Sequence, residues 1–254
     1  MSPDLHSFDA VFLDAYGVLV DKAGALPGAV DFLRHLADQG TPYCVLTNSA
    51  SRPPGAMSEE FRGYGLAIEA DQIITSGMVL RSTLSARGES GRSGWVLGTE
   101  QSARFAAEGG VRVTRPGEGG EPDVIVVADQ AGFPLLDWMN EAISAVIRAM
   151  DAGRPIELIL CNPDLIYPRE AGLYGLTGGS LAALMETVFS ERYGPDAPRF
   201  ERLGKPYTPI FDAGRALTGA AKPLMIGDQL TTDIAGAVAA GIDSVLVESS
   251  VTQR

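Results

Sequence analysis

Short apolar runs alternate with amphipathic stretches along almost the whole chain. Seven runs, each nearly continuous in apolar residues, occupy positions 10–13, 43–46, 95–97, 124–127, 156–160, 224–226 and 245–247. Continuous rather than alternating apolar character is typical of β-strands that are covered on both faces. The pattern therefore predicts seven buried strands.

The stretches between these runs carry helix start and stop signals. One helix is predicted to begin near Pro27 and to end at Gly40, and another to begin with Thr208 as its cap and to end at Gly219. A third, over 135–152, has apolar residues at helical spacing. Strands that alternate with helices indicate βαβ units and a mainly parallel sheet, so the predicted fold class is α/β.

Loop-rich segments make the middle of the chain look like a separate unit. Glycine and other turn-forming residues are concentrated at 87–94 and 115–122, and GLTGGS at 175–180 is predicted to be a flexible junction. The chain of 254 residues is long enough for one large domain or for two smaller ones.

Charge and composition argue against some classes of binding partner and indicate a cellular location. The net charge of −12 argues against a nucleic acid or an anionic membrane as partner. No apolar stretch approaches the length of a membrane span, and the first residues lack a signal-peptide pattern. Cys44 and Cys161 lie in apolar runs and are predicted to be buried thiols, with a disulfide or a reactive thiol as alternatives. The expected location is the cytoplasm.

Four of the predicted strand ends, or the turns near them, carry polar residues. These groups are Asp14 with Tyr16 and Gly17; Thr47, Asn48 and Ser49; Gly204, Lys205 and Pro206; and Gly227, Asp228 and Asp233. In open parallel sheets, ligands bind at the carboxyl ends of the strands. Carboxylates suit Mg²⁺, a lysine and hydroxyl donors suit a phosphoryl group, and a carboxylate is able to attack phosphorus as a nucleophile.

Taken together, these groups resemble the motifs of the haloacid dehalogenase-like superfamily of phosphotransferases. The motifs read DAYGV at 14–18, TNS at 47–49, GKP at 204–206 and GDQLTTD at 227–233, in the family's order and spacing. The middle of the chain, with NPDLIYP at 162–168, resembles the class IIA branch that has a large α/β cap. That branch includes p-nitrophenyl phosphatases and phosphoglycolate phosphatases, and the resemblance covers essentially the whole chain.

The resemblance implies a Rossmann-like, three-layer parallel-sheet core with an inserted α/β cap. The four polar groups all lie outside the middle of the chain. We therefore expect residues 1–78 and 181–254 to form the core and residues 79–180 to form the cap.

The resemblance also implies roles at the centre of the site. Asp14 would be the nucleophile and a Mg²⁺ ligand, Asp228 the second metal carboxylate, and Asp233 a support for the metal's water shell. The backbone carbonyl of Tyr16 would also ligate Mg²⁺, and Lys205 would neutralise charge on the phosphoryl group. Two alternatives stay open, namely that the aspartates at 228 and 233 only serve a helix N-terminus and that the lysine is a surface residue.

The substrate-binding residues are implied in the same way. Thr47 and Asn48 would donate hydrogen bonds to the phosphoryl oxygens, and Ser49 belongs to the same hydroxyl–amide group. Asn162 and Asp164 resemble the cap loop that faces the active site. Both segments could also be plain turns, since Asn-Pro-Asp is a turn signal.

Tyr16 departs from the family pattern. In the family's phosphatases this position is an aspartate that acts as general acid and base, which contributes about 10²–10⁴-fold to the rate. A phenol donates a hydrogen bond but is a poor base at neutral pH. Alternatively, the role of Tyr16 is structural, with its ring packed beneath the cap. The predicted function is a Mg²⁺-dependent phosphohydrolase of a small phosphorylated metabolite that forms an aspartyl-phosphate. The alternative is an impaired pseudo-phosphatase that binds a phosphorylated ligand or a protein partner.

Overall fold

The computed structural model of the chain describes residues 5–88, 90–169 and 172–248. These residues divide into two compact units. The first unit comprises the described residues of Met1–Thr47, Pro53–Thr75 and Lys205–Arg254, and the second comprises those of Asn48–Arg52 and Ser76–Gly204. The first unit is therefore built from three separate segments of the chain.

Strands and helices alternate through both units, as the apolar pattern predicts. The strands are β1 (Ala10–Asp14), β2 (Val20–Asp21), β3 (Gly24–Ala25), β4 (Tyr43–Thr47), β5 (Ile73–Thr75), β6 (Ser93–Leu97), β7 (Arg112–Thr114), β8 (Val124–Val127), β9 (Glu157–Leu160), β10 (Ile166–Pro168), β11 (Tyr174–Leu176), β12 (Glu201–Arg202), β13 (Pro223–Gly227) and β14 (Asp243–Leu246). The α-helices are α1 (Ala29–Asp38), α2 (Pro54–Gly63), α3 (Ser76–Ala86), α4 (Glu100–Glu108), α5 (Leu135–Asp151), α6 (Gly178–Tyr193), α7 (Thr208–Thr218) and α8 (Ala235–Ala239).

The first unit contains a five-stranded parallel sheet. Its strand order is β14-β13-β1-β4-β5, so β1 lies in the centre with β13 on one side and β4 on the other. Every residue of β1 is buried, which explains why this strand reads as an unbroken apolar run before its terminal Asp14. In the register with β4, Asp14 is aligned with Leu46, one residue before Thr47. The carboxyl ends of β1 and β4 thus lie side by side.

The second unit contains another five-stranded parallel sheet, ordered β12-β9-β8-β6-β7, and the hairpin β10-β11. Helix α6 contributes Met185 and Phe189 to the apolar core of this unit. Strand β12 pairs with β9 at the edge of the same sheet. Because α6 and β12 pack here, the second unit extends to Gly204, and the expected cap, 79–180, coincides with it only in part. Both sheets are parallel and flanked by helices, so the predicted α/β, Rossmann-like fold class is confirmed.

Three local predictions differ from the structure. The seven apolar runs all form strands. The two five-stranded sheets also contain short strands that were not predicted, such as β5 and β7, because three residues are too few for a clear apolar pattern. The predicted junction at 175–180 instead ends β11 and begins α6. Thr208 is the first residue of α7 rather than its cap, because Tyr207 holds the N-cap position and makes no side-chain capping bond.

The prediction of two buried thiols is confirmed. Both cysteines are free and buried. Burial raises the pKa of Cys44 to about 12 and shifts the pKa of Cys161 in the same direction, so both thiols stay protonated and unreactive. Among the residues that the structure describes, no helix is long and apolar enough to cross a bilayer.

Glu186 on α6 holds β12 through two hydrogen bonds. Its side chain accepts from the buried Phe200 backbone N–H at 2.9 Å and from the part-buried Arg202 guanidinium at 2.7 Å. We expect Glu186→Ala to lower the free energy of unfolding of the second unit by about 2 kcal/mol, because it leaves the buried Phe200 N–H without its acceptor. Urea denaturation followed by tryptophan fluorescence measures this, since Trp95 and Trp138 both lie in the second unit.

Glu191→Ala on the exposed face of the same helix is the matched control. It should change the free energy of unfolding by less than about 0.5 kcal/mol. Equal unfolding curves for the two variants would contradict the role given to Glu186.

Candidate active site

The chain turns sharply after the buried strand β1. Gly17 N–H donates to the Val20 carbonyl at 2.8 Å, and Val20 N–H donates to the Ala15 carbonyl at 3.0 Å. Gly17 has a φ of +90°, and a Cβ atom at this position would lie 2.1 Å from Asp228 Oδ2. A glycine is required here both by the backbone conformation and by the close approach of the carboxylate. The glycine of the DAYGV motif thus makes room for Asp228.

Lys205 is the first residue of the chain after the second unit and is buried beside Asp14. Its Nζ atom donates to Asp14 Oδ1 at 2.6 Å and to Asp233 Oδ1 at 2.6 Å. The lysine is only 3% exposed, so the alternative of a surface lysine is wrong. The ammonium group joins two carboxylates that the chain places far apart in sequence.

Asp228 and Asp233 follow the carboxyl end of β13. Asp233 belongs to a π-helical turn, Leu230–Ile234, whose N-cap residue is Gln229 rather than Asp228. Asp233 Oδ2 accepts hydrogen bonds from the backbone N–H groups of Asp228 at 3.2 Å and of Gln229 at 3.1 Å. Asp233 therefore orients Lys205 with one oxygen and the Asp228 backbone with the other.

Asp14 and Asp233 share one ammonium group, and the pKa values of Asp14 and Lys205 reflect this. Burial raises the pKa of Asp14 to about 7, the Lys205 ammonium opposes this rise, and the charge of Asp233 adds to it. Burial acts to lower the pKa of Lys205, but the charges of Asp14 and Asp233 outweigh burial and raise it above its usual value. Lys205 is thus charged at neutral pH, and Asp14 takes up a proton more easily than an ordinary aspartate.

This cluster has the composition of a site for a hard divalent cation. One oxygen from each of Asp14, Asp228 and Asp233 lies within 4.8 Å of the others. All three donors are carboxylate oxygens, the kind of ligand that Mg²⁺ prefers. The residues present therefore fit Mg²⁺.

Tyr16 and Thr47 complete the set of predicted residues in the first unit. Tyr16 forms a backbone bridge with Val20, and its side chain is 44% exposed. Thr47 is the last residue of β4 and is buried, and in the register with β5 it is aligned with Thr75. Thr47 thus lies at the same edge of the sheet as Asp14.

The remaining predicted residues group with the second unit and are hydrogen-bonded to one another. Asn48 is buried, and its Nδ2 atom donates to Asp164 Oδ1 at 3.0 Å. Asn162 Oδ1 accepts from the Asp164 backbone N–H at 3.0 Å, so Asn-Pro-Asp does form a turn closed by its own side chain. The Ser76 hydroxyl donates to the Asn48 carbonyl at 2.8 Å, and Ser49 is half-buried. The contact between Asn48 and Asp164 joins residues 116 positions apart, so sequence spacing gave no signal for it.

Two family models match the chain at the segments that carry the carboxylates and the lysine. One, described as haloacid dehalogenase-like hydrolase, matches residues 11–112, and the other, described as HAD-hydrolase-like, matches residues 202–254. The chain belongs to the haloacid dehalogenase-like hydrolases. The order of the motifs, the parallel sheets and the cluster at the end of β1 agree with this family membership.

Similar proteins with phosphatase names extend over nearly the full length. The 5'-nucleotidase YutF of Bacillus subtilis is 27% identical in an alignment that covers 98% of this chain and 91% of that protein. A possible sugar phosphatase of the superfamily from Cytophaga hutchinsonii is 28% identical, with a TM-score of 0.79 over 96% of this chain and 85% of that one. A glycerol phosphate phosphatase from Mycobacterium tuberculosis in complex with magnesium is 26% identical, with a TM-score of 0.75 over 94% of this chain and 67% of that one.

Gly17→Ala tests the geometry of the cluster. The new methyl group would collide with the Asp228 carboxylate, so we expect the affinity for Mg²⁺ to fall by about tenfold or more, as when an orienting partner of a metal ligand is lost. Isothermal titration calorimetry measures the affinity, with Asp228→Ala as the variant expected to lose Mg²⁺ binding.

Gly28→Ala is the matched control, because Gly28 has a similar φ of +85° but an added Cβ meets nothing within 4 Å. Both glycine variants pay the cost of the left-handed backbone conformation, so only the collision distinguishes them. If both variants bind Mg²⁺ equally well, the assignment of Asp228 to the metal is wrong.

Proposed function

We propose that the protein is a Mg²⁺-dependent phosphohydrolase that acts on a small phosphorylated metabolite through an aspartyl-phosphate on Asp14. The observation that carries this proposal is the buried contact of Lys205 Nζ with Asp14 Oδ1, inside a cluster of three carboxylates at the end of a parallel sheet. The phosphatase names of the similar proteins support it. The net charge of −12 argues against a nucleic acid or an anionic membrane as partner, and two free buried cysteines suit the proposed location in the reducing cytoplasm.

In the proposed reaction a carboxylate oxygen of Asp14 attacks phosphorus. A bond forms between that oxygen and phosphorus while the bond to the leaving oxygen breaks, and water later releases phosphate from Asp14. Lys205 holds the Asp14 carboxylate in position and neutralises charge on the phosphoryl oxygens. Asp233 keeps Lys205 charged and in place.

The metal would be held by the oxygen donors of the same cluster. The proposed ligand set is Asp14, the backbone carbonyl of Tyr16, Asp228 and, through the water shell, Asp233. When bound, Mg²⁺ would supply positive charge that stabilises the oxygens of the phosphoryl group. In a protein of net charge −12 this charge also offsets the repulsion of an anionic substrate.

Hydrogen-bond donors for the phosphoryl oxygens are proposed to come from Thr47, Asn48 and Ser49. The Asn48 amide carries two N–H groups, and one of them is already directed at Asp164. Asp164 therefore sets the orientation of the amide, and Asn162 in turn holds the Asp164 backbone. In this proposal Asn162 and Asp164 act on the substrate mainly through Asn48.

Because Tyr16 stands in place of an aspartate, formation and breakdown of the aspartyl-phosphate should be affected to different extents. Formation of the aspartyl-phosphate needs proton donation only when the leaving alkoxide is poor, whereas its breakdown needs an activated water whatever group has left. A phenol serves the second step badly at neutral pH. The aspartyl-phosphate should therefore accumulate.

Rapid mixing with p-nitrophenyl phosphate and Mg²⁺ tests this sequence of steps. We expect a burst of about one p-nitrophenolate per chain, followed by a slow steady state, because breakdown limits turnover. Asp14→Asn should remove both phases, and Asp38→Asn, an exposed acid on α1, should leave both unchanged. A steady state from the start with undiminished activity in Asp14→Asn would refute the nucleophile.

Tyr16→Asp restores the missing acid and base. We expect turnover of an alkyl phosphate to rise by about one to three powers of ten and the burst to disappear, because water attack is then assisted. Tyr16→Asn is the matched control, since it has the size of aspartate without its chemistry and should stay slow. Wild-type protein that is already fast on alkyl phosphates, with Tyr16→Asp neutral or harmful, would contradict this role.

The alternative function is a pseudo-phosphatase that binds a phosphorylated ligand or a protein partner without turnover. The tyrosine at position 16 is the observation that favours it. Binding of methylphosphonate in the presence of Mg²⁺, together with the absence of any burst or steady-state turnover on activated phosphate esters, would select this alternative.

A further inference from the structure

In the first unit, three large and exposed residues each follow a member of the buried carboxylate–lysine cluster by two positions. Tyr16 follows Asp14 by two positions, Tyr207 follows Lys205 by two, and Leu230 follows Asp228 by two. Their exposed fractions are 44%, 41% and 62%. Single exposed apolar residues are common on protein surfaces, but these three each follow a residue of the same buried charged cluster by two positions.

The contacts of the cluster bring these three segments together. The lysine that precedes Tyr207 donates to the aspartate that precedes Tyr16. Gly17, the neighbour of Tyr16, approaches the carboxylate of Asp228 so closely that it has no room for a Cβ atom. Leu230 begins the π-helical turn that holds Asp233, the second partner of Lys205. The three exposed residues therefore belong to the three segments of the chain that form the cluster.

We propose that Tyr16, Tyr207 and Leu230 form an apolar rim that binds the organic part of the substrate. This inference rests on the proposed function and adds the class of substrate to it: a phosphate ester of a neutral, ring-containing or otherwise apolar group, rather than of a polyol or a second anion. Phenol rings and a leucine side chain offer contact area to such a group and give few hydrogen bonds to sugar hydroxyls.

The charges around the cluster agree with this class. The Lys205 ammonium that contacts the carboxylates is already shared between Asp14 and Asp233. A substrate with a further carboxylate or phosphate would bring additional negative charge to a cluster that holds three carboxyl groups. Apolar contact lets the site gain affinity without that repulsion.

Binding of two phosphonates that are not hydrolysed tests the rim. Calorimetric titration of the full chain with Mg²⁺ should show phenylphosphonate binding about tenfold more tightly than methylphosphonate, because only the phenyl ring reaches the rim. Tyr207→Ser and Leu230→Ser should each reduce this preference by about threefold, and the double variant should bring it close to one. Serine is a favoured N-cap residue, so Tyr207→Ser keeps the start of α7 intact.

Leu217→Ser is the matched control, because Leu217 is a comparably exposed apolar residue on α7 that has no place in the rim. It should leave the preference unchanged, and inorganic phosphate should bind equally well to all variants. A wild-type preference near one, or a preference that survives in the double variant, would overturn the proposal.

This experiment separates the rim from the proposed function. Binding of the phosphonates does not require turnover, so a protein that prefers phenylphosphonate but never hydrolyses a phosphate ester would retain the rim and lose the phosphohydrolase assignment. Turnover through Asp14 without any preference for the phenyl group would retain the enzyme and lose the rim.

Discussion

The candidate site depends on one ammonium group that is buried between two carboxylates. Removing Lys205, Asp14 and Asp233 from water is costly, and the cost is offset only if all three charges stay in contact. Lys205 and Asp14 lie 191 positions apart in sequence, so their contact exists only when the first unit has assembled its sheet. The chemistry proposed for Asp14 and the folding of this unit are thus coupled through the same interaction.

Close packing around the carboxylates leaves little freedom for substitution. Gly17 faces Asp228, and Gly227 faces Asp233, at distances that no side chain tolerates. Gly227 is required by the close approach of a carboxylate, and Gly17 is required both by such an approach and by its φ of +90°. The site is consequently preorganised, which suits a reaction in which positioned charges stabilise the phosphoryl group.

The sequence predicts the long buried strands of the sheets well, but it does not predict the very short strands or the side-chain contacts between distant parts of the chain. Continuous apolar runs identified β1, β4, β8 and β13, because burial on both faces removes polar residues from such strands. Strands of two or three residues, such as β12, leave too short a pattern to be recognised. No helix was predicted over α6, whose Met185 and Phe189 belong to the apolar core of the second unit. The pairing of Asn48 with Asp164 depends on tertiary structure alone.

The position of the inserted unit within the chain has a consequence for synthesis on the ribosome. Strand β1 pairs with β4 on one side and with β13 on the other, and β13 emerges only after all of Ser76–Gly204 has been made. Until then one edge of β1, a strand that is apolar up to its terminal Asp14, stays open, and chaperones protect such surfaces from aggregation. The second unit is translated almost without interruption and can form its core first. The candidate site, which needs Lys205, Asp228 and Asp233, is therefore completed only after the second unit has been made.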